Sequence, residues 1–159
     1  MSTLETLKQA IFTGEDPAKI CDLMIVAAIE AHASDIHLEP LNEKVRLRYR
    51  TDGILTEILE YPSTNHPQIV ARYKILGNLK MDETRKPQDG RISHEAGDKA
   101  FDLRLSTLPT VHGEKIVMRI VDKTKKIPDL EKLGLEGKNG IIINLVLLVL
   151  VSRQHCMPS

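Results

Sequence analysis

A chain of 159 residues with 42% hydrophobic and 28% charged side chains is long enough for one domain of ordinary size and too apolar to be disordered. Its 22 Lys and Arg balance its 22 Asp and Glu, so no net field draws it to nucleic acid or to an anionic membrane, and any anion site must be local. Two cysteines, Cys21 and Cys156, are far apart and lack ligand spacing, which gives no support to a disulfide framework or a zinc site and suits a reducing cytoplasm.

The residues from Met1 to Ile11 carry Glu, Lys and Gln among their apolar positions, so no signal peptide is expected. Ser2 and Glu5 have the spacing of a capping box, and Leu4, Leu7 and Ile11 recur at helical period until Gly14, which predicts a helical segment within 1–15. Asp16-Pro17 is a second start signal, with the carboxylate as N-cap and proline in the first turn. Ile20, Leu23, Met24, Ala27, Ala28 and Ala31 then share one helical face, and a domain is expected over 16–122.

From there the period falls to two. Ile36 and Leu38 alternate with Asp35, His37 and Glu39, and Val45, Leu47 and Tyr49 alternate with Arg46, Arg48 and Arg50. Asp52-Gly53 signals a two-residue hairpin, with the return strand over Ile54 to Tyr61. Pro67 opens a helix carrying Ile69, Val70, Tyr73, Leu76 and Leu79. Pro87-Gln88-Asp89-Gly90 reads as a turn, Arg91 to Glu95 as a short strand, and Gly97-Asp98 as a hairpin turn. Phe101, Leu103 and Leu105 predict the next strand, and Glu114 to Asp122 the last.

Helices, hairpins and antiparallel strands in this order predict an α+β domain with helices packed on a curved sheet. A Lys-rich linker is expected over 123–140 and an irregular tail over 141–159. The apolar run from Ile141 to Val151 falls short of the ~20 residues that span a bilayer, so no transmembrane segment is predicted.

Five blocks carry a resemblance. They are Ala33 to Pro40, Arg46 to Gly53, Pro87 to Ile92, Asp102 to Pro109 and His112 to Arg119, in this order. Together they resemble the type II secretion and type IV pilus assembly ATPase family, the secretion protein E family. The resemblance implies a PAS-like N-terminal domain, an antiparallel sheet flanked by helices, beside a RecA-like ATPase domain in a hexameric ring. It implies ATP and Mg for the intact family, with neither held strongly by this chain, and a place in the cytoplasm, peripheral to the bacterial inner membrane. Homologous ring subunits and inner-membrane platform proteins are the implied partners. Arg104 and Arg119 are implied to reach nucleotide phosphates as arginine fingers, with Arg85 and Arg91 as secondary positions in the same cleft. No residue of this chain alone is implied to be catalytic.

Physical reasoning bears on these arginines separately. Arg119 shares a strand face with Val117 and Val121, and a guanidinium on such an apolar face must find an anionic partner or reach water. An intradomain salt bridge to Asp102, Glu114 or Asp122 is the plain alternative to a phosphate. Arg46, Arg48 and Arg50 read as a solvated face paired with Glu57 and its neighbours. The six histidines show no zinc motif and read as structural or surface groups. Asp35, Glu39 and Asp89 read as backbone caps rather than an acid-base pair.

No glycine-rich phosphate-binding loop occurs in these residues. Gly140-Ile141-Ile142-Ile143 resembles the strand that precedes that loop in the family. One back-translation of Leu145 to Pro158, read in the adjacent frame, spells GPTGSGKSTTLYA, which is such a loop. A frameshift at this point is therefore expected. A stand-alone interaction module that uses no nucleotide is the competing reading, and a small-molecule sensor ranks behind both because aromatics are only 3% of the chain.

Overall fold

The computed structural model describes residues 2–97 and 99–123. The tail expected over 141–159, and the expected linker after its first residue, lie outside the described residues. Helix α1 (Thr3–Thr13) begins at the predicted capping box: Ser2 Oγ accepts from the Glu5 N–H while the Glu5 carboxylate accepts from the Ser2 N–H. It ends at Gly14, whose φ of 69° is left-handed. Helix α2 (Pro17–Glu30) starts as expected, with the Asp16 carboxylate accepting from the Ala18 N–H. Ala31 caps its end instead of extending the buried face.

Six strands follow: β1 (Asp35–Pro40), β2 (Lys44–Thr51), β3 (Ile54–Pro62), β4 (Gln88–Ala96), β5 (Lys99–Thr110) and β6 (Gly113–Asp122). Asp52 and Gly53 both take positive φ, 52° and 81°, the type I′ turn that the right-handed twist of a hairpin favours. After the single 3-10 turn Ser63–Asn65, helix α3 (His66–Leu76) links β3 to β4. Gly77 closes it, so Leu79 sits in the following loop and not on the helix as the spacing predicted.

The sheet is antiparallel throughout, in the order β3-β2-β1-β6-β5-β4. The first and last strands are thus neighbours at its centre. This is the expected α+β architecture, a PAS-like sheet with helices on one face. Ile36, Leu38, Leu47, Tyr49, Leu103, Leu105, Ile116 and Met118 are buried together with Leu7, Met24, Ile25, Ile69 and Tyr73 from the helices. Each such side chain contributes about 1.5–3 kcal/mol on leaving water. The two tyrosines satisfy their hydroxyls against α2, Tyr49 on the Met24 carbonyl at 2.7 Å and Tyr73 on the Cys21 carbonyl at 3.1 Å. Burial pushes the Cys21 thiol up to about 12, which makes it an inert core residue.

One predicted turn is a strand. Gln88, Asp89 and Gly90 pair with Thr107, Ser106 and Leu105 at the start of β4. Gly90 is there for room, since a Cβ at this position would fall on the Gly77 carbonyl. A turn signal and a close-approach signal use the same residue type, and tertiary contact decides between them. Among the described residues no helix is long and apolar enough to cross a membrane.

Candidate anion-binding site

Alternation in five strands sends their polar residues to the face without helices. The register then lines them up: Arg50 of β2 faces Asp35 of β1, Asp35 faces Arg119 of β6, Arg119 faces Arg104 of β5, and Arg104 faces Arg91 of β4. Neighbouring strands lie about 4.8 Å apart, so four guanidinium groups and one carboxylate form a continuous transverse row. Asp35 is the only counter-charge within it. Arg85, the remaining sequence candidate, is exposed in the loop between α3 and β4 and is not part of the row.

The four arginines differ in what holds them. Arg119 donates Nε–H to Asp35 Oδ1 at 3.0 Å, yet its side chain remains 70% exposed. Arg50 lies with Nε 3.4 Å from Asp35 Oδ2 and donates from Nη1 to the Gly53 carbonyl at 3.1 Å. Arg104 and Arg91 are exposed and make no salt bridge among the described residues. The carboxylate that meets Arg119 is Asp35 and not Asp102 or Glu114, which face Lys123 at 2.7 Å and Lys74 at 2.8 Å.

The rest of the face is neutralised. Arg46 pairs with Glu57 at 2.9 Å and Glu60 at 3.2 Å, which is the solvated pairing expected for it. Glu39 Oε1 takes Arg48 at 2.6 Å and Lys115 at 2.8 Å. Burial tends to raise the carboxyls of Asp35 and Glu39. The hydrogen bonds from Ser34 and Arg119 to the first, and from Lys115 and Arg48 to the second, outweigh it and hold both below the usual range. Asp35 and Glu39 are therefore cross-strand counter-ions, and Asp89 accepts from the Ser106 hydroxyl. None of these three acts as the backbone cap that the sequence suggested, because each faces a polar partner on the adjoining strand. His37 lies beside Glu39 with its Nδ1 buried and without a hydrogen bond. Burial, helped by the Lys115 charge, lowers its pKa and keeps it neutral.

A second region carries charge of a different kind. A cavity of about 450 Å³ between α3 and the β5–β6 hairpin is lined by His66, Lys74, Met81, Thr110, His112 and Glu114 among others. Its polar floor is internally satisfied. Lys74, 2% exposed, donates to the Glu83 carbonyl at 2.9 Å and lies 2.8 Å from Glu114 Oε1, off the hydrogen-bonding direction, so charge rather than a directed bond joins that pair. His66 bonds the Tyr61 hydroxyl at 3.1 Å and the Glu114 carbonyl at 2.7 Å. The sequence did not single out Lys74; it read His66 only as a structural or surface group and Asp35 as a backbone cap. The row of arginines, with Arg91 and Arg104 exposed and Arg119 70% exposed, is the better candidate for an anion site. Among the described residues no group of His, Cys, Asp and Glu has the arrangement to hold a metal ion.

A profile of the family described as Type II/IV secretion system protein matches residues 3–157. The Type IV pilus assembly ATPase TfpB of Acinetobacter baylyi is 46% identical over 119 residues, which cover 74% of this chain and 20% of that protein. The Type II secretion system protein E of Xanthomonas campestris pv. campestris is 43% identical over 116 residues, covering 73% of this chain and 20% of its own length. This chain thus spans about a fifth of the length of these relatives. Among solved structures it resembles the Legionella pneumophila ATPase DotB with a TM-score of 0.50 at 16% identity, covering 76% of this chain and 33% of that one. That likeness concerns the fold alone.

Proposed function

This chain belongs to the type II/IV secretion system protein family, and on that premise we propose that its folded domain is the phosphate-reading cover of a secretion or pilus-assembly motor ATPase. Arg104 and Arg119 reach the triphosphate of ATP held by an ATPase domain, with Arg91 next to them in the row. Closure of the cover couples ATP binding and hydrolysis to assembly of a pilus or pseudopilus and to protein export. A hexameric ring of homologous subunits on the cytoplasmic side of the inner membrane, docked on platform proteins, is the setting this function requires.

The observation that carries this reading is the register of Arg104 against Arg119 at the open centre of the sheet, with one carboxylate for four guanidinium groups. Planar donors of this type match phosphate oxygens in a way that ammonium groups do not. The donor set therefore fits the polyphosphate of ATP, and it supplies no ligands for Mg. ATP, when bound, offers a γ-phosphoryl group whose transfer gathers charge on its equatorial oxygens. Arg104 and Arg119 would bind and orient those oxygens and offset that charge. Arg85, on its separate loop, is a secondary contact at the rim. With no phosphate-binding loop in its residues, this chain alone is expected to turn over no ATP.

The test is association. The chain is mixed with a relative that carries an ATPase domain, in the presence of Mg and a non-hydrolysable ATP analogue. Nucleotide-dependent binding that is lost in the Arg104→Ala, Arg119→Ala double variant is the expected result. Nucleotide-dependent binding that survives the double change would favour the plain interaction module.

A further inference from the structure

Arg119 sits on a solvent-exposed strand face, with its side chain 70% exposed. Free side chains of this type sample many rotamers, and ordering one at the moment of binding weakens the interaction. Yet its guanidinium is fixed at one point, the 3.0 Å bond from Nε to Asp35 Oδ1. A guanidinium offers two usable edges, the side edge that includes Nε and the end edge formed by the two Nη groups. Arg119 spends its side edge on Asp35. No bond from its end edge is present among the described residues, so this fork remains available to an oxyanion.

Asp35 is well built for this role. It lies on a central strand, its side chain is only 8% exposed, and its second oxygen is held from the other side. Oδ2 accepts from Ser34 Oγ at 2.8 Å and faces Arg50 Nε at 3.4 Å. Arg50 is tied in turn to the Gly53 carbonyl of the hairpin turn. Arg50 thus has both ends engaged, in contrast to Arg119. The order Gly53, Arg50, Asp35, Arg119 forms a braced line that ends in one open fork.

Resting on the function just given, we propose that Asp35, braced by Ser34 and Arg50, is a positioning residue that holds Arg119 with its Nη pair directed at the bound phosphate. Asp35 touches no substrate itself. Its sign makes the idea testable, because a carboxylate beside an anion site opposes anion binding by simple Coulomb repulsion. Electrostatics alone would make Asp35→Asn bind phosphate more tightly, whereas positioning makes it bind more weakly.

The full chain is titrated with inorganic tripolyphosphate at low ionic strength by calorimetry, and exchange of the Arg119 Nε–H with water is followed by NMR. Thermal melts verify that each variant is folded. Arg104→Ala and Arg119→Ala are expected to weaken binding, and Asp35→Asn to weaken it about tenfold despite the charge it removes, the value of one charge-assisted hydrogen bond. Asp35→Asn is also expected to speed the Nε–H exchange in the ligand-free chain. Where Asp35→Asn fails to fold, Ser34→Ala removes only the brace on Oδ2 and is expected to cost about twofold. An affinity that depends on both arginines but is unchanged or tightened by these substitutions overturns the positioning role alone. An affinity indifferent to Arg104→Ala and Arg119→Ala overturns the phosphate-reading function on which it rests.

Discussion

Lys74 and Arg119 each stand beside a carboxylate, at 2.8 Å from Glu114 and 3.0 Å from Asp35, but one is 2% exposed and the other 70%. Around Lys74 the protein has removed water, so the ammonium and the carboxylate depend on each other and on the Glu83 carbonyl. Around Arg119 water remains, the pairing contributes little to stability, and half of the guanidinium is left to do other work. Similar distances therefore describe a buried, mutually dependent pair in one place and an exposed, half-engaged guanidinium in the other. Exposure, and which edge of the cation is spent, separates them.

The sharpest way to break this contrast is Lys74→Met, which leaves the Glu114 carboxylate, 11% exposed, without its partner. A loss of about 3–5 kcal/mol is expected in urea unfolding, and the double change with Glu114→Leu should restore most of it. Next comes Gly90→Ala. Its methyl group meets the Gly77 backbone, which has no rotamer to yield. About 1–3 kcal/mol of destabilisation is expected, read in the same experiment.

A pH series sharpens the contrast further. Burial lowers the pKa of His66 in the folded chain, with its bond to the Glu114 carbonyl only partly opposing this. The unfolded chain therefore binds the proton first, and stability should start to fall as pH drops through about 6.5. His66→Gln should flatten this part of the melting-temperature profile, leaving the contribution of His37, whose pKa is also lowered. Asp35 and Glu39 have depressed values, so their contribution is complete above the ordinary carboxyl range and is lost only as pH falls below about 4. The smallest effect on stability belongs to Arg119→Ala, at about 0–1 kcal/mol in urea unfolding. The same substitution should remove nucleotide-dependent association almost entirely.

Much of the fold was legible because its signals are local. The Ser2 and Glu5 capping box, the Asp16-Pro17 start and the Asp52-Gly53 turn each act within a few residues, and all three appear as read. Alternation likewise set Arg104 opposite Phe101, Leu103 and Leu105, but it read Arg119 as sitting on an apolar face with Val117 and Val121, a face the sheet leaves open to water. What it left unread was register. Asp35 and Arg119 are 84 residues apart, and no local pattern states which residue of β1 faces which residue of β6. The same limit hid Lys74, because a lysine on a helix reads as solvated until a distant Glu114 is found above it. Gly90 was misread as a turn for a related reason, since the chain it must accommodate belongs to another segment.

The placement of β1 beside β6 has a consequence for how the domain is made. Every strand of the first meander is synthesised before α3, yet β1 keeps an unsatisfied flank until residues 113–122 leave the ribosome and dock against it. An unpaired flank at the middle of a sheet is an invitation to wrong partners, and pairing across so long a loop is slow. Arg119 reaches its aspartate only when this final strand is seated. The row that joins Arg50, Asp35, Arg119, Arg104 and Arg91 is therefore incomplete until β6 has docked between β1 and β5.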